Sequence, residues 1–261
     1  MRRHEPVILK KAPDTLPEML DYLHLPMGVE TYQKSLAAAG RDNISHEEFL
    51  KRFLSQDAAA KFERQVTARL RDARFPATKT LDGFDWTHPT SIPKATIIEA
   101  FELRFLEKNE GLVFIASHGL GKTHLALSLG HRAARAGVTV LFTKVVDMVN
   151  QLQASQADHS LRKTLRLYTS PTLLIIDELG RLSMDQKQGE LFFQVIDARY
   201  ERGSTVITTN RAFRDWGTVF QDKILARGII DRLVHHSEVI RIEGTSYRLK
   251  ERKTQSLVDS E

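Results

Sequence analysis

The sequence predicts an α/β fold in which a parallel β-sheet lies between helices, preceded by a small all-α region. Five short, β-branched runs alternate with helical segments within residues 77–250. The runs are continuously apolar, as are strands that a parallel sheet buries on both faces. Residues 1–76 instead repeat apolar side chains every three or four positions, which is typical of amphipathic helices.

The helical region begins with two amphipathic stretches, residues 15–25 and 28–40. A longer helix is predicted from Ser45, because Glu48 three residues later completes a capping box, and Pro76 marks its end. The end of this helix is basic, with Arg64, Arg69, Arg71 and Arg74. These arginines are interpreted as a DNA contact or, alternatively, as a solvated face that complements the negative helix end.

Residues 76–93 are rich in proline, glycine and threonine and predict an irregular connection. Phe84 and Trp86 are large apolar residues within it, so we expect them to pack on the domain that follows. The predicted organisation is therefore a helical domain over residues 1–76 for assembly or DNA binding, an α/β domain over 77–250 and a polar tail over 251–261.

The five predicted strands are residues 111–117, 138–144, 172–179, 204–210 and 238–243. The first is followed by ASHGLGKTHLA, which matches the phosphate-binding pattern G-x-x-x-x-G-K-[ST] except for Ala116 at its first position. The loop follows a strand and opens a helix, as the pattern requires. A methyl group at Ala116 costs little if φ is negative there, because the phosphate cradle begins further along.

Backbone N–H groups of this loop are expected to hold phosphate oxygens, while Lys122 reaches the outer phosphates and Thr123 holds Mg²⁺. The strand ending in Asp177 and Glu178 supports this prediction. Asp177 would complete the magnesium site and Glu178 would deprotonate the attacking water, although an acidic pair after a strand also occurs in ordinary turns. The predicted nucleotide-binding residues are Ala116, Ser117, His118, Gly119, Leu120, Gly121, Lys122, Thr123 and His124.

Two further polar positions are candidates for the same site. Asn210 ends the fourth predicted strand, where it would hold the water or contact the γ-phosphate, or would begin a turn. Arg227 and Arg232 lie on the helix before the last strand. An arginine supplied by a neighbouring subunit can stabilise a phosphoryl group in transfer, but arginines on helices are more often solvated.

Composition excludes several classes of function. The chain has no cysteine, which excludes disulfides, thiolate nucleophiles and cysteine-ligated zinc, and its ten histidines are too scattered to indicate a metal site. No apolar run approaches the roughly 20 residues that span a bilayer, and the N-terminal residues do not resemble a secretory signal. We therefore expect a cytoplasmic protein without membrane contact. The net charge of +5 fits nucleic-acid binding or a solvated basic surface.

Taken together, these motifs resemble the IstB-like family of AAA+ ATPases, which are transposition helper proteins related to the bacterial helicase loader DnaC. The resemblance covers most of the chain and rests on KTLDGFDW, GLGKTHLALSLG, TLLIIDELG, STVITTN and DRLVHHSEVIRIEGTSYR in this order. It implies Walker A roles for Lys122 and Thr123 and Walker B roles for Asp177 and Glu178. It also implies that Asn210 is sensor 1, that Arg232 is the arginine finger and, more weakly, that Arg248 is a second sensor.

The resemblance also implies partners: double-stranded DNA, a cognate transposase and further copies of the chain, in a bacterial cytoplasm. Residues 145–168 occupy the place where initiator-type relatives line a DNA channel, so Arg162, Lys163 and Arg166 become phosphate contacts, the alternative being a solvated helix. The competing functions are a replicative helicase loader, a small-molecule kinase and a non-hydrolysing structural protein. The cofactors expected for the transposition helper are ATP and Mg²⁺.

Overall fold

A computed structural model describes residues 14–24, 28–42 and 44–247 of the chain. The chain divides into two compact units, one ending at Gln65 and the other beginning at Val66. This division falls inside a helix, whereas the sequence placed the domain boundary after residue 76. The tail predicted from residue 251 lies outside the described residues.

The first unit contains α1 (Leu16–Tyr22), α2 (Gly28–Asp42) and most of α3 (His46–Asp72). Tyr32 on α2 packs edge-on against Phe53 on α3, with the ring centroids 5.5 Å apart. At the start of α3, the Ser45 hydroxyl accepts a hydrogen bond from the backbone N–H of Glu48 at 3.2 Å, as predicted. The reciprocal half of the capping box is replaced, because the Glu48 carboxylate accepts from Arg52 instead.

The predicted extension of α3 to Pro76 is wrong, because the helix ends at Asp72. The reason is a long-range contact: the carbonyl of Ala73 accepts a hydrogen bond from the backbone N–H of Phe142 at 2.8 Å. Arg74 then adopts a left-handed conformation with φ of 58°. The chain therefore leaves the helix and continues beside the sheet of the second unit.

The second unit consists of alternating helices and strands. Its elements are α4 (Lys94–Ala100), α5 (Arg104–Glu107), β1 (Gly111–Ala116), α6 (Lys122–Arg135), β2 (Val140–Lys144), α7 (Val145–Ala157), α8 (Leu161–Thr169), β3 (Leu173–Leu179), α9 (Gln186–Arg199), β4 (Ser204–Thr209), α10 (Trp216–Val219), α11 (Lys223–His235) and β5 (Ser237–Ile242). A 3₁₀ turn over Phe213–Asp215 precedes α10. All five predicted strands are confirmed, with bounds shifted by one or two residues.

The five strands form one sheet with the order β2-β3-β4-β1-β5, and every neighbouring pair is parallel. Alternate strand residues enter two separate apolar layers, as a parallel sheet covered on both faces requires. Leu112 and Phe114 of β1 pack with α6 in one layer, while Val113 packs with α7 and α9 in the other. The predicted α/β fold is confirmed.

The connection between α3 and α4 packs onto the first of these layers. Phe84 is buried and Trp86 is half-buried against it, with their rings 5.0 Å apart in an edge-to-face arrangement. The predicted packing of these two aromatic residues on the α/β domain is confirmed. Phe84 thereby reaches the loop after β1, which places the connection beside the site described below.

A buried arginine fixes α8 and α9 to the sheet. Arg199 at the end of α9 is 2% exposed and donates hydrogen bonds to the carbonyls of Tyr168, Pro171 and Ser204 at 2.6 to 3.0 Å. Burial lowers its pKa to about 10, so the guanidinium remains charged at neutral pH. It satisfies carbonyl groups between α8 and β3 and at the start of β4 that would otherwise be buried without donors.

Among the described residues, no helix has both the length and the apolar character required to cross a membrane.

Candidate functional site

The candidate site lies at the carboxyl ends of three neighbouring strands. β4 lies between β1 and β3, so Asn210 after β4 falls between the loop after β1 and the acidic end of β3. This edge of a parallel α/β sheet is where ligands bind in such folds. A cavity of about 610 Å³ opens there, lined by residues 118–124 together with Glu178, Thr208 and Asn210.

The loop between β1 and α6 has the conformation that its glycines permit. Gly119 and Gly121 have φ values of 75° and 81°, in the left-handed region that disfavours side chains. A Cβ atom on Gly121 would also collide with the Phe84 ring, and one on Gly119 would collide with the Ser246 side chain. Ala116, by contrast, is the last residue of β1 and does not have a positive φ. The condition for tolerating alanine at this position is therefore met.

The first two residues of α6 have different hydrogen-bond partners. The Lys122 ammonium donates hydrogen bonds to the carbonyls of Ala116 and Ser117, both at 2.7 Å. The Thr123 hydroxyl donates to Oδ1 of Asp177 at 2.8 Å. A cation and a hydroxyl thus stand at the N-terminal end of a helix whose dipole favours anions, which is the arrangement of a phosphate-binding loop.

Asp177 and Glu178 occupy different environments although they are adjacent in β3. Asp177 is 2% exposed, and its Oδ1 also accepts a hydrogen bond from the Thr208 hydroxyl on β4. Glu178 is half-buried, lines the cavity and has a left-handed φ of 63°. The structure therefore fixes the first carboxylate in the protein and presents the second to the cavity.

Two cations neutralise Glu178. Both carboxylate oxygens accept hydrogen bonds from Arg181 at 2.8 Å, and the Lys144 ammonium lies 3.4 Å from Oε2. Burial raises the pKa of Glu178, but the hydrogen bond from Arg181 and the charges of Lys144 and Arg181 outweigh it. The net effect holds the pKa below its ordinary value, so Glu178 is ionised at neutral pH.

The oxygen atoms beside the loop fit a magnesium ion. Thr123 Oγ1 and Asp177 Oδ1 are hard donors 2.8 Å apart, and Mg²⁺ binds to proteins through one or two such ligands, with water and substrate phosphates as the rest. No cluster of three or more histidine or acidic side chains suited to a metal occurs in the described part of the chain.

Asn210 lies where a polar residue can contact a terminal phosphate. Its side-chain nitrogen is 3.4 Å from Nε2 of His118 in the loop after β1, and both residues line the cavity. The structure thus brings Lys122, Thr123, Asp177, Glu178 and Asn210 together from three strand ends. Their individual chemical roles stay predictions.

The other end of the cavity is built by segments that the sequence did not assign to a site. Lys79, Asp85 and His88 line it from the connection before α4, and Tyr247 lines it from the segment after β5. The His88 Nε2 lies 2.7 Å from the carbonyl oxygen of Thr245, which joins these two segments. The sequence signals for this part of the cavity were the aromatic residues of the connection and the motifs KTLDGFDW and DRLVHHSEVIRIEGTSYR, neither of which was assigned a role at this end of the site.

Arg232 lies outside the residues that line this cavity. On α11 it donates to Asp197 at 2.6 Å, and its guanidinium lies 4.6 Å from the centre of the Phe193 ring. Arg227 is exposed on the same helix. Arg248 falls outside the described residues. A contribution of Arg232 to phosphate chemistry would therefore have to be made at another subunit's site.

The predicted DNA contacts differ in exposure. Arg162, Lys163 and Arg166 are all exposed on α8, whose opposite side packs through Leu165 and Tyr168 on the apolar layer of α7 and α9. Within the first unit, Arg64 is exposed on α3. In the second unit, Arg69 is half-buried, and its Nη1 atom is buried without a hydrogen-bond partner. Arg69 is thus less available to DNA than the three cations of α8.

The chain is similar to known proteins over most of its length. It is 38% identical to the ATP-binding protein of insertion sequence IS5376 from Geobacillus stearothermophilus, over 89% of this chain and 93% of that protein. It is 37% identical to the ATP-binding protein of insertion sequence IS21 from Pseudomonas aeruginosa, over 88% of this chain and 86% of that protein. These two relatives place the chain among ATP-binding proteins of insertion sequences.

The fold is similar to that of the DnaC helicase loader, whose crystal structure matches 63% of this chain and 96% of its own with a TM-score of 0.53 and 24% identity. This likeness is one of fold, a parallel sheet that lies between helices. The sequence profile of the family described as IstB-like ATP binding protein matches residues 18–255. The chain therefore belongs to the IstB-like ATP-binding protein family.

Proposed function

We propose that the protein is an ATPase that assembles on double-stranded DNA and recruits or stimulates a transposase during insertion-sequence transposition. The observation that carries the proposal is the convergence of Lys122, Thr123 and Glu178 on one cavity, with Asp177 held behind Thr123 by a hydrogen bond. Loop amides and Lys122 would hold the phosphates of ATP, and Thr123 and Asp177 would hold Mg²⁺. Bound Mg²⁺ would supply charge neutralisation for the transferred phosphoryl group.

In this proposal Glu178 accepts the proton of the attacking water and Asn210 orients that water. The exposed cations of α8 contact DNA phosphates without reading sequence. The insertion-sequence relatives support a transposase partner and a bacterial cytoplasmic setting. Electron microscopy of the protein with duplex DNA in ATP, in ADP and without nucleotide tests the proposal, which requires assemblies on DNA that depend on nucleotide.

The alternative partner is a replicative helicase, as for a DnaC-type loader. The likeness to DnaC is one of fold, whereas the relatives above 35% identity belong to insertion sequences. Purifying the protein with a transposase or with a helicase present distinguishes the two. If the protein retains the helicase and not the transposase, the partner in the proposal becomes the helicase, and the proposed ATPase site stays the same.

Ala116→Gly is expected to change nucleotide affinity by no more than a few-fold relative to the wild-type protein, because the N–H cradle begins after this residue. Lys122→Ala, in contrast, removes the cation that faces the phosphates and is expected to abolish ATP binding. Titration with a fluorescent ATP analogue measures both. Equal damage by the two substitutions would contradict the assignment of the cradle.

Replacing the proposed base, Glu178→Gln, is expected to slow turnover about 10²-fold or more, the contribution general-base catalysis commonly makes. Nucleotide binding is expected to persist, because Lys122, Thr123 and Asp177 are retained. Phosphate release measures turnover, and the lifetime of the protein–DNA complex after dilution measures whether retained ATP prolongs assembly. Glu190→Gln, an exposed change on α9, is the matched control.

Normal turnover in Glu178→Gln would disprove the role of this residue as the base. Slow turnover combined with a short-lived DNA complex would retain the base and show that hydrolysis is not the release step.

Replacing Arg162, Lys163 and Arg166 by glutamine is expected to weaken binding to any duplex. The log–log dependence of affinity on salt should flatten by about one unit for each DNA phosphate that the variant no longer neutralises. The matched control removes three exposed charges, Arg104, Arg132 and Arg135, from helices on the other face of the sheet. An unchanged slope in the α8 variant would move the DNA surface elsewhere, with the arginines at the end of α3 as the next candidates.

Arg232→Ala is expected to keep ATP binding and lose hydrolysis if this arginine completes the site of a neighbouring subunit. Mixing it with Lys122→Ala should restore part of the activity, since one mixed interface then contains an intact Lys122 and an intact Arg232. Arg227→Ala on the same helix is the control. Absence of rescue in co-assembled proteins would show that Arg232 does not act between subunits.

A further inference from the structure

The acidic end of β3 contains a β-bulge. Ile176 pairs with Ile207 and Leu179 pairs with Thr209, so Asp177 and Glu178 together stand opposite Thr208. In a regular strand two successive side chains point to opposite faces of the sheet. A bulge breaks this alternation and redirects side chains, and bulges are frequent beside active sites. The bulge is therefore what allows two adjacent carboxylates to serve one site.

The bulge has a conformational cost at Glu178. This residue has a φ of 63°, which the Cβ of an L-residue disfavours, so surrounding contacts must stabilise it. Its backbone N–H is directed at the Thr208 hydroxyl at 3.0 Å. The Thr208 hydroxyl on β4 thus accepts the hydrogen bond of the Glu178 N–H, in place of a backbone partner that the interrupted pairing of β3 and β4 does not provide.

The same hydroxyl also holds the other carboxylate. Thr208 Oγ1 donates to Oδ1 of Asp177 at 2.5 Å while it accepts from the Glu178 N–H. A hydroxyl has one donor and two acceptor positions, so a single group can make both contacts. Thr208 is 1% exposed, at the wall of the cavity. The neighbouring Thr209 hydroxyl donates to the carbonyl of Leu179 at 2.7 Å, which fixes the end of the bulge.

We propose that Thr208 is a positioning residue that holds the β3 bulge, and through it orients Asp177 toward the metal position and Glu178 toward the cavity. The inference rests on the proposed ATPase function. Thr123 shares Oδ1 of Asp177 with Thr208. When the Thr123 hydroxyl turns to a metal ion, the bond from Thr208 remains to orient the carboxylate. Partners of this kind around a metal ligand commonly alter metal affinity when they are removed.

The test compares Thr208→Val, which keeps the shape and removes the hydroxyl, with Thr208→Ser, which keeps the hydroxyl. In Thr208→Val the Mg²⁺ concentration that half-saturates Mg²⁺-dependent binding of a fluorescent ATP analogue should rise about 10-fold or more, and turnover should fall by a similar factor. Thr208→Ser should restore both. Circular dichroism and thermal melting establish that each variant is folded, and Thr208→Ala serves instead if valine prevents folding.

Thr205→Val is the matched control. Thr205 is a buried threonine of the same strand, and its hydroxyl accepts from Arg199 Nε at 3.1 Å, away from the cavity. Its replacement should lower thermal stability without changing the Mg²⁺ requirement. An equal shift of the Mg²⁺ requirement in both variants would reduce the Thr208 effect to general destabilisation and overturn the proposal.

The double variant Thr208→Val, Glu178→Gln separates the effect of Thr208 on Glu178 from its effect on Asp177. At saturating Mg²⁺, turnover should be no lower than in Glu178→Gln alone, because residues that act as a unit are not additive, while Mg²⁺ affinity should still fall through Asp177. Unchanged Mg²⁺ affinity and turnover in folded Thr208→Val would overturn the proposal. If the wild-type protein binds ATP but never hydrolyses it, the proposed ATPase function is refuted. The Mg²⁺ titration of nucleotide binding would still decide the role of Thr208.

Discussion

The site depends on one buried carboxylate that connects three parts of the sheet. Asp177 at the end of β3 accepts a hydroxyl hydrogen bond from Thr123, which follows β1, and another from Thr208 on β4. A buried carboxylate without hydrogen-bond donors would be strongly unfavourable. The need to keep both donors in place therefore holds the ends of β3 and β4 and the start of α6 in fixed relative positions. The strand order β3-β4-β1 is the constraint that makes this contact geometrically available.

Charge compensation explains how an ionised Glu178 is stabilised at the wall of the cavity. Arg181 contacts both of its oxygens, and Lys144 lies close to one of them. A carboxylate that already accepts from a guanidinium is a weaker proton acceptor than a free one. For Glu178 to act on a water molecule, a lone-pair site that faces the cavity has to accept from that water, beside Arg181 or in its place. Arg181 is largely exposed, so its side chain has room to move aside.

Local patterns in the sequence predicted what depends on local structure. The strands, the glycine-containing loop before α6 and the acidic end of β3 were correctly placed in the fold because β-branched runs, glycines and a following helix are contiguous in the chain. The β3 bulge was not predictable, because it arises from the register between β3 and β4 and from a hydroxyl some thirty positions away. The early end of α3 has the same kind of cause, since Phe142 of β2 captures the carbonyl of Ala73.

Contacts from outside the loop also explain which motif positions tolerate change. Gly119 and Gly121 combine a left-handed φ with close approach by Ser246 and Phe84, so a side chain at either position would be excluded twice. These contacts come from the two segments that flank the sheet, which are joined by the bridge between Ser91 and Glu243. The Tyr247 N–H further binds the carbonyl of Gly119 at 2.9 Å.

Ala116 experiences neither constraint, because it ends β1 in regular pairing with Ile242 of β5. It contributes to the loop through its carbonyl, which accepts from Lys122 and which any residue would provide. A methyl group at this position is therefore compatible with the phosphate-binding conformation. Of the glycines in the usual pattern, the first is therefore the one that alanine can replace without strain.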